Sequence, residues 1–355
     1  MTFEEARTQF PVLERYAYLQ AGSVGPLSRA TADAMRSEIE QNTVGGRAGA
    51  TYIERILALR TELREALAAL VSTDPEQVTL TTSTTDGCNI VLEGLDLDPE
   101  DEIVTTTDEH FGLLGPLHVS GAHVVVVPPD ADAIAAAVTR RTRLLALSQV
   151  LWTTGQVLPV HELRERTGIP ILVDGAQSVG AIPVDAGDLD FLAISGQKWL
   201  CGPETTGALV VADPERLRVA RPSYFSQQSH EADGSFEPWP GARRFDATWI
   251  PSALMSGLLA ALSLGPVWRF ERAAATAERC RELLAAAGQD VVVPADRATL
   301  VSWRPRDEET SAVVERLAAA EVVVRDLPRT GLVRASIGWW TSDDDVDRLV
   351  TGLAP

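Results

Sequence analysis

The spacing of apolar and polar positions changes character twice along the chain. From Ser28 the apolar positions Ala30, Met35 and Ile39 recur near helical spacing, and Ser28 stands where an N-cap belongs. A second helix is predicted over 52–71, with Ile56, Leu59, Leu63, Leu67 and Leu70 on one face. Short apolar runs then alternate with helical stretches. The runs predict strands over 78–81, 102–106, 123–127, 144–148, 170–174, 191–195 and 207–211. They lack a clean period of two, as strands buried on both faces do. Strands separated by helices form a mostly parallel sheet covered by helices.

The pattern shifts again near Pro251. A long Ala/Leu-rich helical stretch is interrupted at Gly265 and Pro266, where the proline removes a backbone donor. Beyond it the pattern predicts a strand over 299–303, a helix over 312–320, strands over 322–325 and 332–337, and a last helix from Ser342. Ser342 and Asp345 have the spacing of a capping box, with Asp in place of the usual Glu. The expected organisation is a large α/β domain over 1–250, with an N-terminal segment at 1–28, and a smaller α+β domain over 251–355.

Length, charge and cysteine usage narrow the function classes. A chain of 355 residues is long enough for two fused domains, and 45% hydrophobic with 23% charged residues is ordinary for a globular protein. The formal net charge of −19 repels phosphate backbones, so no nucleic-acid partner is expected. Cys88, Cys201 and Cys280 form no CxxC pair and no framework spacing, so neither a disulfide scaffold nor a metal site is expected. The start MTFEEARTQF lacks the apolar run of a signal peptide, and the run from Val124 to Val127 is far too short for a bilayer. A cytoplasmic protein with no membrane partner is expected.

In an open α/β sheet, ligands bind at the carboxyl ends of the strands. Four predicted strand ends carry polar residues that a core does not need. The first reads LTTSTTDGCN from Leu80 to Asn89 and leads into an apolar helix. Its hydroxyls and free N–H groups suit an anion, although Thr84 or Thr85 could serve only as the helix cap. The second, Thr107 to Gly112, carries His110, which can stack on a flat ligand or move protons, or be an ordinary loop histidine. The third reads ILVDGAQS from Ile171 to Ser178. Asp174 ends a buried strand, where a carboxylate is costly without a positive partner such as a pyridinium N–H. Gln177 could reach a ring substituent, and the plain alternative for Asp174 is an N-cap. The fourth reads AISGQKWLCGP from Ala193 to Pro203 and carries Lys198 directly after an apolar strand. Desolvation there lowers an amine's pKa and makes it a nucleophile for an aldehyde; the alternative is a surface lysine covering a tryptophan face. Asp174 and Lys198 lie 24 residues apart, room for one helix and one strand, so both face one cleft.

With those residues placed, the sequence resembles the class V aminotransferase family of pyridoxal 5′-phosphate (PLP) enzymes, the group of cysteine desulfurases, C–S lyases and isopenicillin N epimerases. The resemblance runs from Tyr18 to the C-terminus and rests on Asp-x-x-Gln combined with Ser-Gly-x-Lys-Trp. It implies a fold-type I PLP-dependent transferase, with a seven-stranded, mostly parallel sheet in the large domain. It also implies that Lys198 carries PLP as a Schiff base, that Asp174 pairs with the pyridine nitrogen, that Gln177 reaches the ring hydroxyl and that His110 stacks on the ring. Thr84, Thr85, Ser195 and Gln197 would hold the phosphate, and Arg334 matches the arginine that binds the substrate carboxylate. The family is typically homodimeric with shared sites. The stretch Arg243 to Thr248 looks like the one that lends a threonine, here Thr248, to the neighbour's phosphate. The segment Tyr18 to Pro26, with Gln20 and Ala21, looks like the loop lining the substrate pocket.

Three departures bear on the reaction. Gln197 stands where the family usually has histidine, the glycine expected near Thr205 is absent, and Trp152 replaces a desulfurase-type asparagine in LWTTGQVLP. That last segment looks more like cystine C–S lyases. No cysteine follows Cys280, which lies in a helical run, so desulfuration through an enzyme thiol is disfavoured. The expected reaction is β-elimination from a cysteine-derived amino acid, with Lys198 as general base for the Cα proton. Transamination or epimerisation of another amino acid is the alternative, and a non-catalytic PLP-binding regulator or subunit is a third reading of a different class. Trp152, Trp249, Trp339 and Trp340 are candidates for a pocket that takes a flat side chain, against plain packing roles.

Overall fold

The apolar runs assemble into one seven-stranded sheet, as seen in a computed structural model that describes residues 1–354. Its strands are β1 (Val78–Thr81), β2 (Glu102–Thr106), β3 (His123–Val127), β4 (Thr142–Ser148), β5 (Ile171–Asp174), β6 (Phe191–Ser195) and β7 (Gly207–Val211), in the order β1-β7-β6-β5-β4-β2-β3. Only β7 runs against its neighbours; the other adjacent pairs are parallel. Strand β4 starts earlier than expected because Thr142 pairs with Glu102, and β5 begins one residue after Pro170, which has no N–H to give.

Alternate residues of the central strands serve two cores. Leu145, Leu147, Ile171 and Val173 pack with Ile56, Leu63 and Leu67 of helix Gly49–Leu70. Leu144, Ala146 and Leu172 pack on the other face with Val91, Leu113 and Leu117. A helix layer therefore covers each face, which explains why the strands read as unbroken apolar runs. The buried Asp246 carboxylate accepts from Arg60, Arg64, the Thr79 hydroxyl and the Leu80 N–H, fixing the stretch after Gly241 to β1. The helical stretch past Pro251 breaks as expected: helices Ser252–Leu264 and Arg269–Ala286 meet at 77°.

A second, antiparallel sheet contains β8 (Asp290–Val291), β9 (Leu300–Arg304), β10 (Arg325–Leu327) and β11 (Leu332–Ser336), in the order β8-β9-β11-β10. The strand expected over 322–325 is divided. Val322–Val323 pairs in parallel with Ala17–Tyr18, and Arg325 opens β10. The N-terminal segment, expected with the large domain, instead packs Ala17 and Leu19 into the core around β9 and β11. Gln20 bridges Ser336, and Arg7 pairs with Asp345 at 2.7 Å. The Ser342–Asp345 capping box is present at the start of helix Asp343–Gly352.

Candidate active site

The carboxyl ends of β1, β2, β5 and β6 carry the polar residues singled out above. At the end of β1, the Ser83 side chain accepts from the Asp86 N–H and caps helix Thr84–Gly94. The cap is therefore neither Thr84 nor Thr85. Their hydroxyls and backbone N–H groups sit at the first two helical positions, where the helix dipole favours an anion. At the end of β6, the Ser195 hydroxyl donates to Gln197 Oε1 at 2.8 Å. The turn that follows holds Thr205 at φ 61°, a left-handed conformation that a glycine would take without strain.

His110 caps the next helix, its Nδ1 accepting from the Gly112 N–H at 3.0 Å, which places the proton of the neutral ring on Nε2. Its ring meets Trp152 edge to face, with centroids 5.3 Å apart. Burial, and after it the charge of Lys198, lowers the His110 pKa and favours the neutral ring. A Cβ on Gly112 would come within 2.7 Å of Thr85 Oγ1, so the anion end and the histidine adjoin. Asp174 is 3% exposed, and its Oδ1 accepts from the Ala176 N–H. Gln177 is held at both ends: Nε2 donates to Gly22 O at 2.8 Å, and Oε1 accepts from Trp199 Nε1 at 2.9 Å.

Lys198 is the only lysine in the chain. Burial lowers its pKa, Asp174 opposes that shift, and Arg334 and Arg325 add to it. The N-terminal segment closes over its backbone: Gly25 N–H donates to Gln197 O at 2.7 Å, and a Cβ on Gly25 would lie 2.1 Å from Lys198 O. Only glycine fits there.

Arg334 enters from β11 and is 1% exposed. Its Nη1 donates to Trp152 O at 2.6 Å, whereas Nε and Nη2 have no partner. Burial, followed by the charge of Arg325, brings its pKa down from 12.5 to about 9. Gly22 lies against it: a Cβ there would stand 2.6 Å from Nη2. Ala21 is buried, and Gln20 pairs with the strand that carries Arg334.

Two charged residues of this cluster were not singled out from the sequence. Arg325 donates Nη1 to the Ser23 hydroxyl at 3.0 Å and stands opposite Arg334 in the sheet register. Glu109, beside His110, is buried and accepts from Thr106 Oγ1, Ser148 N and Ser148 Oγ. Burial raises its pKa to about 7, and the charge of Asp174 adds to the effect. Its position directly before His110 was the only signal available.

Other candidates lie elsewhere. Trp339 and Trp340 pack around Phe10. Thr248 and Trp249 are exposed, and Trp249 stacks on Tyr52 and Tyr224. All three cysteines are buried, and burial raises each thiol's pKa, that of Cys280 to about 12. Among the described residues there is no cluster of metal-ligating side chains, and no single helix is long and apolar enough to cross a membrane.

Residues 17–349 match the family model of aminotransferase class-V, and the chain belongs to that family. Two isopenicillin N epimerases are similar over nearly their whole length. The one from Streptomyces clavuligerus is 28% identical, with 99% of this chain and 97% of the relative aligned. The one from Amycolatopsis lactamdurans is 30% identical, with 98% and 97% aligned. Among solved structures, the cystine C–S lyase C-DES in complex with its product cysteine persulfide superposes with a TM-score of 0.91 at 28% identity, covering 97% of this chain and 99% of that one. A C-DES mutant with glycine covalently linked to its PLP cofactor gives the same TM-score of 0.91 at 28% identity, with 98% of each chain covered.

Proposed function

We propose that the chain is a PLP-dependent C–S lyase that cleaves a cysteine-derived amino acid by β-elimination, with Lys198 holding the cofactor covalently. One observation carries this reading: the chain's single lysine is desolvated at a strand end, beside an acidic strand end and a buried arginine with two unpartnered nitrogens. The residues fit the group. Asp174 offers a buried carboxylate for a pyridinium nitrogen, Gln177 has a second amide hydrogen for the ring hydroxyl, and His110 offers a neutral ring for stacking. Thr84, Thr85, Ser195 and Gln197 offer donors for the phosphate. Arg334, Gln20, Ala21 and Trp152 are the residues we assign to the amino acid.

PLP supplies an electron sink, and the protein selects the bond that breaks. The desolvated Lys198 amine takes the Cα proton at Nζ. Arg334 orients the amino acid through its α-carboxylate with Nε and Nη2. His110, neutral and with its proton on Nε2, would serve as the donor to a departing sulfur. A transfer of sulfur to an enzyme thiol finds no exposed cysteine, which favours elimination over desulfuration.

The two epimerase relatives support a second reading, epimerisation or transamination of another amino acid. Lys198 and the buried Arg334 are both present, which favours an enzyme over a non-catalytic regulator or subunit. The chain is further read as a cytoplasmic homodimer whose Thr248 serves the phosphate of a second copy. The exposed apolar residues Tyr224, Trp249, Ile53 and Leu57 support that interface.

The test is to load the purified protein with PLP and incubate it with L-cystine, L-cysteine and an S-substituted cysteine, following pyruvate, ammonia and the cofactor spectrum. Borohydride should fix the cofactor on the peptide carrying Lys198. Pyruvate formation with the spectrum restored afterwards is expected. No pyruvate, with conversion of the cofactor to its amine form, moves the reading to transamination.

A further inference from the structure

We propose that Glu109 is a positioning residue of the cofactor site that gives up a proton when PLP is loaded. It is a neutral acid while Asp174 beside it is an unmatched carboxylate, and it ionises once Asp174 meets the positive ring nitrogen. The inference rests on the reading of Asp174 as the partner of that nitrogen, and couples a second acid to it.

Three neighbouring strand ends carry it. Asp174 ends β5, Ser148 ends β4 and Thr106 ends β2, and these strands are adjacent in the sheet. Ser148 and Asp174 are partners in the parallel register. Glu109 lies across the other two ends. Its Oε1 accepts from Thr106 Oγ1 at 2.9 Å and from Ser148 N at 3.0 Å, and its Oε2 accepts from Ser148 Oγ at 2.5 Å. Two buried acids are thus held one strand apart. Elsewhere the chain gives a buried acid an arginine: Asp246 has Arg60 and Arg64, Glu38 has Arg55, and Glu102 has Arg141. Among the described residues neither Glu109 nor Asp174 has an ion-pair partner.

Two buried carboxylates side by side are not both ionised cheaply, so one keeps its proton. Burial puts that proton on Glu109, raising its pKa to about 7; its hydrogen-bond donors act against this and the charge of Asp174 acts with it. The other titratable groups around the pair hold no charge to match it. Cys88, from helix Thr84–Gly94, is kept a thiol by burial and by the charges of Asp174 and Glu109. His110 is kept neutral by burial and by Lys198, Arg325 and Arg334, against Asp174. Asp108, on the other side in the chain, is raised by burial. A pyridinium N–H against Asp174 cancels the charge that opposes ionisation of Glu109, and the three donors already point at its oxygens. Cofactor loading and ionisation of Glu109 therefore favour each other, and PLP binds more tightly as pH rises.

The measurement is PLP binding from pH 6 to 8, read by the cofactor's visible absorbance, with calorimetry in buffers of different ionisation enthalpy to count protons. If loading lowers the Glu109 midpoint from about 7 to about 5–6, PLP affinity rises about fivefold to tenfold from pH 6 to 8, relative to Glu109→Gln. At pH 6.5 the natural protein should release about half a proton or more beyond that variant. Ser148→Ala removes one donor to the carboxylate and should move the rise to higher pH, which a purely structural role would not do. In denaturant melts at pH 8, Glu109→Gln should gain stability without PLP and much less with it. Lowered PLP affinity in Asp174→Asn, with identical pH dependence and proton count in the natural protein and Glu109→Gln, overturns this inference alone. Unchanged affinity in Asp174→Asn overturns the reading of Asp174 and this inference with it. No substrate enters these measurements, so the lyase reading stands or falls separately, on pyruvate.

Discussion

Replacing Arg334 by Met should stabilise the fold and destroy substrate binding together. This guanidinium makes one hydrogen bond, to Trp152 O at 2.6 Å, and its other two nitrogen atoms are buried without partners. Its pKa of about 9, against an ordinary 12.5, corresponds to roughly 5 kcal/mol of unfavourable free energy for the cation near neutral pH. Methionine fills similar space without charge, and the Trp152 carbonyl left behind costs about 1–3 kcal/mol. The net expectation is a gain of about 2–4 kcal/mol, in line with other buried charges replaced by apolar groups. The folded value lies below the unfolded one, so above pH 9 the unfolded chain holds more protons and the natural protein gains stability. The advantage of the variant should therefore shrink as pH rises through about 9. On the substrate side, loss of a buried carboxylate pair costs about 3–5 kcal/mol, a loss of affinity of roughly 10²- to 4 × 10³-fold. Thermal melts of the PLP-loaded proteins at pH 7 and 10, with spectral titrations of an amino acid, measure both effects. A variant that melts lower and still binds the amino acid, or that loses cofactor and amino acid equally, would falsify this account of Arg334.

Glu109→Gln should raise stability at pH 8 and much less at pH 5. The carboxyl titrates at about 7 in the folded protein against 4.5 ordinarily, so the folded state holds the extra proton in that window and loses stability as pH rises through it. Glutamine removes that loss, roughly 3 kcal/mol by pH 8, and denaturant melts giving the same difference at both pH values would rule the argument out. Trp249→Glu should separate the proposed dimer and weaken PLP binding without unfolding the subunit, because Trp249 is 49% exposed. Sedimentation together with cofactor titration reads this, and an unchanged molecular mass would remove that surface from the interface.

The seven strands were legible because each is a short apolar run bounded by turn residues, and the polar cluster at their carboxyl ends was legible because unneeded polar residues follow four of those runs. The cap of the helix at Thr84 was not. Five hydroxyl residues stand in a row, Thr81 to Thr85, and only the extended backbone of Ser83, with ψ 170°, decides which one caps. The pairing of Ala17–Tyr18 with Val322–Val323 joins two strands too short to leave a periodic signal across the whole length of the chain. Arg325 escaped for a related reason. In the sequence it stands nine residues before Arg334 with nothing to mark it, and only the register of the hairpin sets the two side chains opposite one another. The uniqueness of Lys198 needed no structure, since counting lysines would have found it.

The arginines that suit anionic groups of the substrate also tune the lysine. In the ligand-free site, burial together with the charges of Arg334 and Arg325 lowers the Lys198 pKa, and Asp174 alone opposes this. An amine held uncharged in that way is ready to attack an aldehyde, which is the work of the first step. Proton abstraction asks for the opposite property, a stronger base. A carboxylate arriving on Arg334 cancels one of the cations that depress the amine, so the basicity of Lys198 rises once the amino acid is in place.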